Sequence, residues 1–367
     1  MFPNRKNMRR ATLLLTASLA FVSACSGERA DSTAPNAGGG TVRLQGAGAT
    51  FPNPLYQKWL SEYGKINQQA KIDYQSKGSG FGIQQIQSQT VDFGASDAPM
   101  SDDDLKKAVG GELLHVPTVL GAVVITYNLQ GIMQPLRFSP DVLADIFLGK
   151  IRKWDDARLK ADNPGVNLPG ADITVVHRSD GSGTTAIFTE YLGKVSPEWK
   201  QKPGVGKSIN WPVGIGGQGN EAVSGQVRNT PNTIGYVELA YAVQTKLPVA
   251  LLKNKAGNFV APTLEAVTAA AAESLAATPD DLRVSITDAA GASAYPISAY
   301  TYILVYKDQK DATKGKALVD FLWWGIHEGQ QITKDPQYPY APLPPQIVEK
   351  AATKINSLTS GGKPLRG

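Results

Sequence analysis

The sequence predicts an α/β protein built as two lobes with a cleft between them. From residue 41 onward, short β-like runs alternate with helical patterns, the signature of mostly parallel sheets covered by helices. Two long apolar β-type runs, 116–127 and 295–306, divide the chain. If both cross between lobes, residues 41–117 and 297–367 form one lobe and 118–296 the other. The third observation is compositional: 367 residues with 42% hydrophobic and 19% charged side chains can bury about two domains' worth of core. The 37 glycines and 24 prolines favour loops and sharp turns over long bundles.

The chain begins with a leader. Arg5, Lys6, Arg9 and Arg10 precede an apolar run at 11–22, and residues 1–24 contain no acid, which reads as a signal peptide. The run is shorter than the roughly 20 apolar residues a membrane span needs. It ends in Val22-Ser23-Ala24-Cys25, which resembles the lipobox of bacterial lipoproteins. Cys25 is the only cysteine, so it has no partner for an internal disulfide and is read as the lipid attachment site. Two acyl chains there would give stable membrane anchoring. Residues 26–40 are small, polar and end in three glycines, a flexible tether. Of the formal charge of +5, four belong to the leader, leaving +1 on the rest. A body so nearly neutral argues against nucleic acid as a partner. Three histidines and one cysteine leave little for a metal cage, and no metal or other cofactor is expected.

The elements follow in order. A strand begins at 42–44, a helix covers 54–63 with Leu55, Trp59, Leu60 and Tyr63 on one side, and a strand covers 71–75. A helix is expected at 82–89 and a strand at 91–95. Ser101 caps a helix whose first turn holds three aspartates, where the helix dipole favours them. The second region repeats the style, with a helix at 140–148, a strand at 173–177 and a helix at 186–192. An alanine-rich helix at 262–277 stops before Pro279, and a helix at 313–324 follows the second long run.

Three glycine-rich turns stand before helices: Gly46-Ala47-Gly48-Ala49-Thr50-Phe51-Pro52, Gly78-Ser79-Gly80-Phe81-Gly82, and Arg178-Ser179-Asp180-Gly181-Ser182-Gly183-Thr184. Each joins free N–H groups to hydroxyls at the positive end of a helix, a candidate anion cradle; one alone is an ordinary strand–helix loop. Arg178 is the matching cation, with Asp180 placed to hold its guanidinium, unless it is a surface arginine at a strand end. Asp97 is either a cap before Pro99 or a group facing the anion. In the second case it repels a fully ionised anion such as sulfate but tolerates one carrying a proton, such as hydrogen phosphate.

Other motifs fail on context. Gly206-Lys207-Ser208 ends like a phosphate-binding loop, but Gln201 stands where that motif needs glycine. Gly214-Ile215-Gly216-Gly217-Gln218-Gly219 fits dinucleotide spacing, yet Ile209-Asn210-Trp211-Pro212 leaves no room for the buried strand before it. It is read as a loop leading into a helix at Asn220. There is no Gly-x-Ser-x-Gly elbow, and His115, His177 and His327 are scattered, so no catalytic residue is assigned.

The strings GAGATFPNPLYQKW (46–59), TVDFGASDAPMSDD (90–103), LGKIRKWDD (148–156), DGSGTTAIFTEYL (180–192) and TIGYVELAYA (233–242) resemble the phosphate-binding protein family of bacterial phosphate-specific ABC importers, over nearly all of the mature chain. The resemblance implies the two-lobed type II periplasmic-binding-protein fold with two crossing strands as hinge. It also implies an exported receptor that is not an enzyme and hands inorganic phosphate to a membrane permease with its ATPase subunits. The implied phosphate ligands are Thr50, Phe51, Ser79, Asp97, Arg178, Ser182, Gly183 and Thr184, with Asp180 paired behind Arg178. The chain departs from some members at Gly80 and Phe81, where a serine and a glycine are expected. A receptor for arsenate or sulfate and a phosphate-ester hydrolase are the alternatives.

Overall fold

The computed structural model describes residues 40–366 apart from Met133. The leader, Cys25 and the tether up to Gly39 lie outside the described residues.

Eight strands form one continuous sheet: β1 (Val42–Gly48), β2 (Ala70–Ser76), β3 (Phe93–Ser96), β4 (Leu113–Asn128), β5 (Thr174–Arg178), β6 (Ile215–Gly217), β7 (Thr233–Glu238) and β8 (Ser298–Tyr306). Their order is β2-β1-β3-β8-β4-β7-β5-β6. The outer strands pair in parallel, as the alternating pattern predicts. The three central pairings, β3 with β8, β8 with β4 and β4 with β7, are antiparallel.

The 16-residue β4 joins the two halves. Its first part, Leu113 to Ala122, pairs with β8, and Val123 to Asn128 pairs with β7. The returning chain passes the same point, where the Val123 N–H donates to the Ile297 carbonyl at 2.9 Å. All of β4 except Asn128 is buried, which is why the sequence there is a near-continuous apolar run without alternation. Proline has no N–H to give a ladder, and Pro117 sits at a register shift that leaves Thr118 opposite no residue of β8.

Helices pack against the sheet, among them α1 (Asn53–Ile66), α2 (Ser79–Gln87) and, beyond the short exposed α3 (Asp102–Lys106), α4 (Gly183–Val195). Ser101 caps α3 as expected, accepting from the Asp104 N–H. Helix α2 begins at Ser79, three residues before the expected start, because Gly78 takes a left-handed conformation (φ 101°) and turns the chain directly into it. The alanine-rich segment is a helix over Leu264–Ala272 and then a separate 3-10 turn at Leu275–Ala277. The hydroxyls of Ser274 and Thr278 bond back to the carbonyls of Ala271 and Ser274 and tighten the chain there.

The dinucleotide-like glycine motif contains a strand after all. Three of its residues form the edge strand β6 beside β5, and α5 (Gly219–Asn229) follows directly. A strand this short, at the sheet edge, is not the buried strand the dinucleotide fingerprint requires. Among the described residues no helix is long and apolar enough to cross a membrane.

Candidate functional site

The three glycine-rich turns meet where the two halves of the sheet face each other. Gly80 N–H donates to the Gly181 carbonyl at 2.7 Å, joining the second turn to the third. A Cβ added to Gly183 would lie 2.3 Å from Ser79 Oγ and 2.5 Å from Asp97 Oδ2, so only glycine permits this approach. Thr50, Phe51, Ser79, Asp97, Arg178, Ser182, Gly183 and Thr184 are all buried. Ser79 and Gly183 are the first residues of α2 and α4, whose opening N–H groups have no partner within the helix. Ser182 caps α4 by accepting from the Thr185 N–H at 3.0 Å, which leaves its own O–H free to donate elsewhere.

The cation is built from the second half. Arg178 ends β5, and its backbone N–H donates to the Tyr236 hydroxyl at 3.2 Å. Its guanidinium forms a two-pronged pair with Asp180, Nε to Oδ1 at 2.7 Å and Nη2 to Oδ2 at 2.5 Å. Asp180 Oδ1 also accepts from the Gly219 N–H at 3.0 Å. Burial alone would raise the Asp180 carboxyl, but the guanidinium and the Gly219 N–H hold it below its ordinary value. The remaining nitrogen of the fork, Nη1, points to Thr184 Oγ1 at 3.3 Å. His177 stacks on Trp211, with ring centres 4.7 Å apart, and its Nδ1 lies 3.0 Å from the Arg178 carbonyl oxygen, a packing position.

The acceptor comes from the first half. Asp97 follows β3 and makes no helix cap. Its Oδ1 accepts from the Thr301 hydroxyl at 2.8 Å, and its Oδ2 lies 3.3 Å from Ser79 Oγ. Burial pushes its carboxyl up to about 7, against the opposing pull of Thr301, Arg178 and Ser79. The site therefore holds a fixed cation, several aimed donors and one carboxyl balanced near neutrality between its two forms.

Four residues of this centre carry no signal in the turn motifs. Thr301 reaches Asp97 from the middle of β8, beside the register shift, and its carbonyl accepts from the Thr118 hydroxyl at 3.1 Å. Asn220, at the opening of α5, reaches Thr50 and Thr184 together. Glu238, fully buried at the end of β7, accepts through Oε2 from the Ala240 N–H, and the same oxygen lies 3.1 Å from the Tyr340 hydroxyl. Burial raises its carboxyl well above the ordinary range. Tyr340 donates to the Phe51 carbonyl at 2.7 Å. Asn220 had a readable signal, since Gly219-Asn220 is a fourth glycine–polar turn opening a helix. Thr301 and Tyr340 sit in unremarkable strand or loop strings, and Glu238 lies in the 233–242 string, where nothing in the sequence marks it as buried.

Two ion pairs close the rim. Lys207 Nζ lies 2.9 Å from Asp104 Oδ2, and Arg283 Nη1 lies 2.7 Å from Asp102 Oδ1 while also donating to the Met100 carbonyl. Lys77 is exposed and Phe81 half-buried, and neither has a polar contact with the centre. No cluster of three or more His, Cys, Asp or Glu side chains suited to a metal ion occurs among the described residues.

Comparison with known proteins gives one consistent result. The PBP superfamily domain matches residues 34–323. The "Phosphate-binding protein PstS" of Xylella fastidiosa is 46% identical over 312 residues, 84% of each chain. That of Methanocaldococcus jannaschii is 40% identical over 370 residues, 94% of each chain. Among solved structures, a high affinity periplasmic phosphate-binding protein (PfluDING) bound with phosphate superposes with a TM-score of 0.70. It covers 88% of this chain and 97% of its own, at 22% identity, a likeness of fold.

Proposed function

We propose that this chain, which belongs to the PstS family of phosphate-binding proteins, closes its two lobes around one inorganic phosphate and delivers it to a membrane ABC permease with its ATPase subunits. The observation that carries this reading is that the Arg178 guanidinium and the Asp97 carboxyl are buried at one donor-lined centre, a cation and an acceptor side by side.

The N–H groups of Thr50, Phe51, Ser79, Gly183 and Thr184, with the hydroxyls of Thr50, Ser79, Ser182 and Thr184, supply donors for bare phosphate oxygens. Arg178 neutralises the charge, oriented by Asp180. Asp97 serves the one oxygen that carries a proton, accepting it as a hydrogen bond. Sulfate brings no proton at neutral pH, so Asp97 would face a lone pair. A buried charged acceptor left unpaired costs several kcal/mol, roughly a thousandfold in affinity or more. Arsenate carries a proton as phosphate does and is not rejected by this device.

Closure is favoured by the difference in ligand affinity between closed and open forms. We take the lobes as residues 41–117 with 297–367, and 118–296, moving about the two segments that cross between them. We read the chain as a binding protein and not a hydrolase, because the cation, the carboxyl and the hydroxyls at the centre are arranged to hold an anion, and its relatives are named as phosphate-binding proteins. Export, diacylation at Cys25 and a place in the cell envelope, free of nucleic-acid partners, complete the reading; the leader and lipobox support them.

Calorimetric titration of the phosphate-stripped protein at pH 7.5 tests it. Tight one-to-one phosphate binding with no response to sulfate is the expected result. Absence of phosphate binding, or equal binding of the two anions, would overturn it.

A further inference from the structure

We infer that Asn220 is a positioning residue that fixes the polarity of the two threonine hydroxyls at the centre, so that each can only donate. The inference rests on the phosphate-receptor reading and deepens it.

Asn220 is fully buried and bonded on every side. The orientation of its amide is set by the backbone. The Glu238 N–H, which can only donate, meets Oδ1 at 3.0 Å, so the opposite atom must be the NH2 group. That group donates to Thr50 Oγ1 at 2.8 Å and to Thr184 Oγ1 at 3.1 Å. Thr50 Oγ1 accepts a second time, from the Asn220 backbone N–H at 3.2 Å. Thr184 Oγ1 accepts a second time from Arg178 Nη1 at 3.3 Å.

A hydroxyl offers two lone pairs and one hydrogen. In both threonines both lone pairs face donors of the protein, and what remains is one hydrogen that must find an acceptor. A bare anion oxygen is such an acceptor. Without Asn220 each hydroxyl is free to rotate and present a lone pair to the anion instead. One amide thus arms a hydroxyl from each lobe, and the opening of α5 acts on the ligand without touching it.

The test is a double-mutant cycle on phosphate affinity. Asn220→Leu removes the donors at similar volume. Asn220→Asp keeps the acceptor for the Glu238 N–H and replaces only the NH2 group. Each is measured in the native protein and in one carrying Thr50→Val and Thr184→Val, with melting temperatures as a check on folding. In the native background Asn220→Leu is expected to weaken phosphate binding about 30-fold or more. In the valine background, where no hydroxyl remains to be oriented, the same change is expected to cost less than about threefold. Asn220→Asp adds a charge that acts in both backgrounds, so only the difference between them is read, and it is expected to be at least about tenfold. If Asn220→Leu does not fold, Asn220→Asp decides alone. Equal losses in the two backgrounds, or native-background losses under threefold, overturn the inference. Failure of the unmutated protein to bind phosphate would overturn the receptor reading instead.

Discussion

The two faces of the cleft differ in the sign of what they offer. Around β5, Arg178 is the cation at the centre among the described residues, with Ser182, Thr184 and Asn220 around it. Around β3, Thr50 and Ser79 offer hydroxyls, and the carboxyl of Asp97 is held by Thr301. On the receptor reading proposed above, the first face supplies charge attraction, which any tetrahedral anion would feel, and the second supplies a test for a proton. Capture and discrimination are then separable, because they fall on different stretches of chain.

Removing the cation should have the largest effect. Arg178→Met leaves Asp180 buried without its partner and the anion without its counter-charge. Truncating one partner of a buried, hydrogen-bonded charge pair at a binding site costs about 4 kcal/mol, so phosphate affinity by calorimetry should fall by roughly a thousandfold. Gly183→Ala attacks the contact between the faces. Its methyl would collide with Ser79 and Asp97 of the other lobe. Affinity should drop by on the order of a hundredfold or more, while the melting temperature of the ligand-free protein, which does not need closure, stays within about 2 °C.

Asp97→Asn sharpens the comparison further. Phosphate affinity should fall about tenfold, while the preference for phosphate over sulfate should collapse by far more, since the amide can donate to a bare oxygen. Equal losses for the two anions would mean that the proton test lies elsewhere.

A pH series on the ligand-free protein follows from the same carboxyl. Burial holds Asp97 protonated up to about 7, above its ordinary value of 3.8. Between those values the folded form binds more protons than the unfolded one, so stability from this group falls as pH rises from about 4 to about 7 and is level beyond. Asp97→Asn should remove that part of the slope in thermal melts. Glu238→Gln should do least. Burial pushes its carboxyl toward the protonated form, and a neutral amide of the same shape should keep phosphate affinity within about threefold.

The two lobes were also unequally legible. The turn motifs exposed the donors, because glycine, hydroxyl and helix start recur together at Thr50, Ser79 and Ser182. The charge argument marked Asp97 and Arg178 before any contact was known. Thr301 was invisible for a physical reason: its place depends on which residues of β4 and β8 pair, and the shift at Pro117 that aims it is a property of two strands. Asn220 directly follows the dinucleotide-like motif, which fails for want of a buried strand before it, although its glycine–polar start matches the other three turns. Glu238 is an acid inside a buried strand, and only the packing of Tyr340 and Ala240 against it explains why it is tolerated. Many helix and strand positions are readable from periodicity, but β6 and β7 are not picked out and the alanine-rich helix ends five residues before its expected stop. The antiparallel centre was not readable, because strand direction depends on connections that cross the whole chain.

The pairing of β3 with β8 sets an order of assembly. Ala95 stands opposite Ile303, roughly 200 residues later, whereas the strands β5, β6 and β7 of the second lobe come from one contiguous stretch. A chain delivered from its N-terminus can complete the second lobe early, but its first sheet lacks an inner neighbour until nearly all of it has emerged. Asp97 then meets Thr301 only when the last third of the polypeptide arrives. A ribosome-stalled or truncated product therefore has the arginine and lacks the finished carboxyl face, so incomplete chains should neither select phosphate nor compete with intact ones for it.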